Sequence, residues 1–149
     1  MTRGSGSLSF LDVQFGYDSL DEAFPSLTDA DINFKPYGSS VLVQIRQSKS
    51  VTRGGILLTE QIRETDKSNV QIARVLKWGP LAFHNRETMK PWPEGNWCEV
   101  GDFVRVPKHT NDRWEIVKKG VTEPIVLCLF NDLDLKGEVP NPLITKTFV

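Results

Sequence analysis

Short apolar segments separated by turn residues limit what this chain of 149 residues can fold into. From Lys35 onwards, apolar residues alternate with polar ones or form brief runs, and Gly, Pro, Asn or Asp lie between the segments. Alternation with a period of two is typical of strands, and no stretch of ten or more residues keeps a helical period. The pattern therefore favours an all-β fold, in the form of a small barrel or sandwich.

Five segments carry the strand pattern. In VLVQIRQ the apolar positions are Val41, Val43 and Ile45, which predicts a half-buried strand. Residues 123–135 form a nearly continuous apolar run, which predicts a strand buried on both faces before a polar turn. A region rich in proline and glycine, residues 81–98, predicts a long irregular loop. The other predicted strands are 69–79, 103–106 and 113–119.

The residues that could carry chemistry do not form a recognisable catalytic site. The two histidines, His84 and His109, are not clustered, and the two cysteines, Cys98 and Cys128, lack metal-ligand spacing. Cys98 and His109 would make the one nucleophile and base pair available, but a loop cysteine beside tryptophans more often packs. We therefore expect no enzymatic activity, no cofactor and no metal, with Cys128 as a buried thiol in a reducing cytoplasm.

A monomeric binding module is the alternative from a different class. Trp92, Trp97 and Trp114, together with scattered lysines and arginines, would suit a stacking surface for single-stranded nucleic acid on a small barrel. The formal net charge of −1 counts against nucleic acid, because phosphate binding relies on positive charge. No apolar run is long enough to cross a membrane, and the N-terminus lacks the apolar run of a secretory signal.

One short segment fits neither a core strand nor an ordinary polar loop. In TRGGILLTE a pair of glycines, Gly54 and Gly55, precedes three consecutive aliphatic residues within charged and polar sequence. The three are Ile56, Leu57 and Leu58. A core strand would continue its apolar pattern on either side. A hairpin turn that leads into a short core strand is the structural alternative for this segment.

Several motifs, in order along the chain, resemble the GroES/chaperonin-10 family of co-chaperonins. Lys35-Pro36 before the first strand resembles the family's opening motif, and TRGGILLTE resembles its mobile-loop segment. NVQIARVLKWGP, EVGDFVRVPK and EPIVLCLFNDLDLKGE are similar to its later strands. The order of these motifs carries the resemblance more than any single one. PEGNWCEVGD is closer to the co-chaperonins of tailed bacteriophages than to those of bacteria.

The resemblance implies a GroES-like β-barrel domain over about residues 35–138. Within it, the mobile loop would cover about 48–68 and a roof-region loop about 80–98. An acidic N-terminal extension, residues 1–34, and a C-terminal tail, residues 139–149, would flank this domain. The bacterial glycine-rich roof motif is replaced here by WGP and an unrelated loop, so a roof hairpin is not implied.

The resemblance also implies a function. Such proteins form a ring, here expected to be a heptamer, that caps a GroEL-type chaperonin in a nucleotide-dependent way and encloses an unfolded substrate protein. The two glycines and the aliphatic tripeptide would be the chaperonin-binding residues. The phage relatives imply work in the cytoplasm of a bacterial host, with a host or virus-encoded chaperonin and a capsid protein as a candidate substrate.

The magnitudes explain why such a loop would act as one of several. Burial of an aliphatic side chain contributes about 1.5–3 kcal/mol. Fixing the backbone of a loop costs about 1–2 kcal/mol per residue, so a single loop would bind weakly. Loops joined in one ring gain by effective concentration, which raises the overall affinity by about 10²–10⁴.

Overall fold

An antiparallel sheet of six strands organises this computed structural model, which describes residues 17–47, 70–108 and 112–145. The strands are β1 (Ser40–Ile45), β2 (Val70–Trp78), β3 (Phe103–Pro107), β4 (Asp112–Ile116), β5 (Ile125–Asn131) and β6 (Gly137–Glu138). Their order in the sheet is β4-β5-β1-β2-β3-β6. The short helices are α1 (Leu20–Ala23), α2 (Asp29–Ile32) and a 3-10 turn (Asp132–Asp134). The predicted all-β fold class is confirmed.

Each of the five strands predicted from the sequence overlaps one observed strand, from β1 to β5. The observed bounds differ from the predicted ones: β1 and β4 each begin one residue earlier, at Ser40 and Asp112, and β3 includes Pro107. The sixth strand, β6, has only two residues, and its sequence carries no alternation from which it could be recognised. It pairs with the outer edge of β3, where Val104 lies opposite Glu138. The edge of the sheet beyond β3 is thus partly covered by the chain that follows the 3-10 turn.

Strand β1 is buried on both faces, so the prediction of a half-buried strand is wrong. Val41 and Val43 are fully buried on one face, as their alternation predicts, but Leu42 and Gln44 on the other face are fully buried too. Gln44 is accommodated because its Nε2 donates a hydrogen bond to the Pro25 carbonyl at 2.8 Å. The polar position of the pattern is therefore a buried hydrogen-bonding group.

The first face of the sheet is covered by the connection between β2 and β3. Its core cluster combines strand residues such as Val43 and Val104 with Phe83 and Cys98 from this connection. Phe83 is fully buried and meets the Trp78 ring edge-on, with ring centroids 5.1 Å apart. The predicted irregular loop is confirmed, and its aromatic residues supply part of the core.

The opposite face is covered by segments from both ends of the described chain. Phe24, in residues 17–34, is almost fully buried, and its ring lies 5.1 Å from that of Phe103 on β3. Ile32 joins a second cluster on this face with residues of β1 and β5. From residues 139–145, Val139 packs into the cluster around Phe24. Both faces of the sheet are therefore closed by described segments.

Candidate functional site: the root of the β1–β2 connection

The connection between β1 and β2 is far longer than the strands require. The two strands are adjacent and antiparallel, and their pairing extends to Ile45 opposite Ala73, at the end of β1. Hairpins of this kind are usually closed by about 2–5 residues. Here the strand ends are joined by 24 residues, from 46 to 69. Connections of this length are uncommon within a compact domain, and those without secondary structure are usually either functional or linker segments.

The five residues predicted to bind a chaperonin, 54–58, belong to this connection and lie outside the described residues. The structure does describe the point at which the connection leaves the sheet. We call Arg46 and Gln47, the two residues that follow β1, the root of the connection. The contacts of the root are what the structure adds to the sequence.

Gln47 is held by three residues from two segments that are distant in sequence. Its backbone N–H donates to the Ala23 carbonyl at 2.8 Å, and its side-chain Nε2 donates to the Glu123 carbonyl at 3.2 Å. Its own carbonyl accepts a hydrogen bond from the Tyr17 hydroxyl. With 8% of its surface exposed, Gln47 is effectively a core residue at the edge of the described chain.

Arg46 places a guanidinium group in a largely buried position, with 7% of the residue exposed. Its Nη1 donates to the carbonyls of Pro142 at 2.8 Å and Thr145 at 2.6 Å. Its Cζ lies 5.1 Å from the centroid of the Tyr17 ring, which is a cation–π distance. A buried cation needs such partners because its desolvation is costly.

The two terminal segments are also joined to each other at the root. The Tyr17 N–H donates to the Leu143 carbonyl at 2.9 Å. We refer to Tyr17, Arg46, Gln47 and residues 142–145 as the terminal clamp. Sequence reasoning missed it because most of the partners are backbone carbonyls, which leave no signal in residue type. An arginine and a glutamine at the end of a strand indicate only a polar exit.

A different polar network fastens the β2–β3 connection at the opposite end of β1. Asp132 is fully buried, accepts a hydrogen bond from the Phe83 N–H at 2.5 Å and forms an ion pair with Arg86. Arg86 also donates to Asn131 Oδ1 at 3.1 Å, and the Ser39 hydroxyl donates to the same oxygen at 2.9 Å. This network holds Phe83 in the core and gives the end of β5 a structural role.

The geometry around Cys98 does not favour a nucleophile. Burial, followed by the nearby carboxylates of Asp102, Glu99 and Glu138, raises the pKa of the Cys98 thiol to about 11. The thiol is therefore protonated near neutral pH, whereas nucleophilic catalysis needs a thiolate. His109, its predicted partner, lies outside the described residues.

The tryptophans of the predicted stacking surface lie in two separate places. Trp92 and Trp97 stack on each other with ring centroids 6.2 Å apart, beside the buried Phe83. Trp114 instead packs on Phe34, at 5.0 Å, in the cluster on the opposite face of the sheet. These three side chains do not form one continuous surface, so the structure adds no support for single-stranded nucleic acid.

One edge of the sheet is formed by β4, which pairs with β5 along its whole length. Its residues run from Asp112 to Ile116 and alternate between exposed and half-buried positions after the first. An edge strand of this kind can add a strand from another chain, because only one of its two sides pairs with another of the described strands.

More familiar kinds of site are absent from the part of the chain that the structure describes. The described parts of the chain hold no group of three or more His, Cys, Asp or Glu side chains placed to bind a metal ion. Within those same ranges no helix is long and apolar enough to cross a membrane. No protein-family model matches the chain, and no curated protein matches it. The feature that best indicates a function is therefore the β1–β2 connection with its root.

Proposed function

We propose that the protein is a co-chaperonin that caps a GroEL-type chaperonin ring through its β1–β2 connection. The observation that carries the proposal is the 24-residue connection between two adjacent central strands. Its sequence contains a single run of three aliphatic residues, directly after two glycines, within polar and charged sequence. A short hairpin loop would suffice for the fold, so the extra length calls for another purpose.

The packing of the sheet supports the same proposal. Residues 79–102 cover one face, and residues 17–34 with 139–145 cover the other. The strand side chains beneath them, such as Val43 and Leu42, are already fully buried. The tripeptide is thus not required to close either face, which weakens the alternative of a short core strand.

The order of the family-like motifs also agrees with the fold. Lys35-Pro36 precedes β1, the three motifs that resemble later strands of the co-chaperonins fall on β2, β3 and β5, and the motif that resembles the mobile loop falls between β1 and β2. In the proposed mechanism, Ile56, Leu57 and Leu58 enter an apolar groove of the chaperonin, and Gly54 and Gly55 allow backbone turns that a Cβ would forbid. The protein itself performs no catalysis and binds no nucleotide.

The proposed assembly is a ring, with seven subunits as the expected number. A ring joins several weak docking segments, so affinity is gained through effective concentration. The edge strand β4 is available for a contact between subunits. The enclosed substrate is an unfolded protein, with a phage capsid protein as the candidate, and the proposed setting is the cytoplasm of an infected bacterium.

The first test is size-exclusion chromatography with light scattering, on the protein alone and with a bacterial chaperonin plus ATP or ADP. We expect a particle near seven chains of 16.8 kDa that joins the chaperonin peak only when nucleotide is present. A monomer that never joins the chaperonin, and that binds oligonucleotides in a salt-sensitive way, would replace the proposal with the nucleic-acid module.

A further inference from the structure

We infer that the terminal clamp positions the β1–β2 connection for docking, with Tyr17 and Arg46 as the positioning residues. The effect on docking rests on the proposed function, whereas the effect on the root does not. The pairing of β1 with β2 does not depend on the clamp, because the Arg46 N–H donates to the Ile72 carbonyl at 2.9 Å and continues the β1–β2 ladder.

The clamp determines where the chain goes after the ladder ends. At Gln47 the backbone N–H turns to the Ala23 carbonyl, so the chain leaves β2 and pairs with the N-terminal segment. The Tyr17 hydroxyl holds the carbonyl of the same residue. Both backbone groups of Gln47 are therefore fixed by residues before β1, and this fixes the exit direction of the connection.

Arg46 connects the root to residues 142–145, which follow β6. Its guanidinium binds the carbonyls of Pro142 and Thr145 and lies against the ring of Tyr17. Replacing Arg46 by an apolar residue leaves the Pro142 and Thr145 carbonyls without this donor, which lowers the stability of the fold. The same two hydrogen bonds fix one geometry at the root, which is what a docking segment requires.

Two segments, one before β1 and one after β6, are therefore coupled to the β1–β2 connection. Residues 17–23 and 142–145 touch the root directly, so a change that releases either segment frees the exit of the connection while leaving the ladder intact. We therefore expect the clamp variants to lose docking affinity out of proportion to any loss of stability.

The primary test compares amide hydrogen exchange at Gln47 in the full-length protein and three variants. Tyr17→Phe removes one hydroxyl, and Arg46→Met removes the guanidinium while keeping an unbranched chain. The matched control is Lys77→Met: Lys77 is a long basic residue of β2 whose Nζ binds the Phe34 carbonyl at 3.3 Å, away from the root. We expect exchange at Gln47 to accelerate about tenfold or more in both clamp variants and to stay unchanged in the control. Equal exchange in all four proteins would overturn the inference.

The second test measures nucleotide-dependent binding to the chaperonin. Under conditions in which every variant is fully folded by circular dichroism, Arg46→Met is expected to weaken binding about tenfold or more, Arg46→Lys to recover part of it, and Lys77→Met to bind like the wild type. Faster exchange at Gln47 with unchanged affinity would overturn the positioning role. If the wild-type protein itself does not bind, the proposed function fails, and the exchange experiment still decides whether the clamp holds the root.

Discussion

Two connections of equal length differ in how their apolar residues are arranged. Residues 46–69 join β1 to β2, residues 79–102 join β2 to β3, and each consists of 24 residues between adjacent antiparallel strands. The second contains three aromatic residues, and one of them, Phe83, is fully buried beneath the sheet. The first contains no aromatic residue, and three of its five aliphatic residues form one tripeptide.

The comparison shows that length alone does not identify a docking segment. The β2–β3 connection is long because it supplies a layer of the core, and it is fastened by Asp132. The β1–β2 connection leaves a sheet whose faces are already covered, and its described residues, Arg46 and Gln47, are held by the terminal clamp. We propose that the two connections differ in whether the fold needs their apolar residues.

The largest expected effect is on stability in the packed connection. Phe83→Ala removes a fully buried ring and should lower the free energy of unfolding by about 3–5 kcal/mol, because it leaves a cavity against the sheet. Ile56→Ala in the other connection should change it by less than about 0.5 kcal/mol. Urea unfolding followed by tryptophan fluorescence measures both. Similar losses of unfolding free energy in the two variants would contradict the claim that the fold depends on only one of the two connections.

A smaller effect is expected from the network that fastens the packed connection. Asp132→Ala leaves the Phe83 N–H without its acceptor and should cost about 1–3 kcal/mol. Asp134→Ala is the matched control, since Asp134 is exposed and accepts only a 3.3 Å hydrogen bond from the Asn131 N–H. If the two variants unfold at the same urea concentration, Asp132 does not hold the connection.

The smallest effect concerns the reactivity of two thiols, Cys98 in the β2–β3 connection and Cys128 in β5. Burial is the main cause that raises the pKa values of Cys98 and Cys128 to about 11, so roughly a thousandth of each thiol is ionised at pH 8. Iodoacetamide should label both slowly in the folded protein and rapidly after unfolding. Fast labelling of Cys98 with slow labelling of Cys128 would show that the connection opens independently of β5.

The same thiols make the free energy of unfolding depend on pH. Their folded pKa lies above the unfolded value of about 8.5, so the folded state retains protons that the unfolded state loses. This contribution is complete below about pH 8.5 and is lost as pH rises towards 11. The unfolding midpoint of a Cys98→Ala, Cys128→Ala variant should fall less between pH 8.5 and 10.5 than that of the wild type.

The sequence predicted the strands because their apolar alternation is local. It did not predict how the polar residues on those strands are used. Gln44 and Arg46 resemble solvent-facing positions, yet both are buried and bind carbonyls of Pro25, Pro142 and Thr145. Backbone carbonyls carry no residue-type signal, so contacts of this kind are visible only once the chain ends are placed.

The candidate site also has one part that the sequence revealed and one part that it did not. The tripeptide was recognisable because three aliphatic residues in polar sequence are a local anomaly. Its root was not, because Tyr17 and Gln47 are 30 positions apart and meet only through the fold. Phe83 lies between the two cases: an aromatic residue in an irregular segment signals burial, but its partner Asp132 follows a distant strand.

The most direct test of the central claim is a paired binding measurement. Leu57→Asp lies in the β1–β2 connection, and Met89→Asp places the same charge at a residue of the β2–β3 connection that is 56% exposed. Binding of both variants to a chaperonin ring with nucleotide is followed by light scattering, with circular dichroism to monitor the fold. The account predicts that Leu57→Asp remains folded and loses at least about a hundredfold in affinity, while Met89→Asp binds like the wild type. Loss of the folded state in Leu57→Asp would place Leu57 in the core and contradict the account.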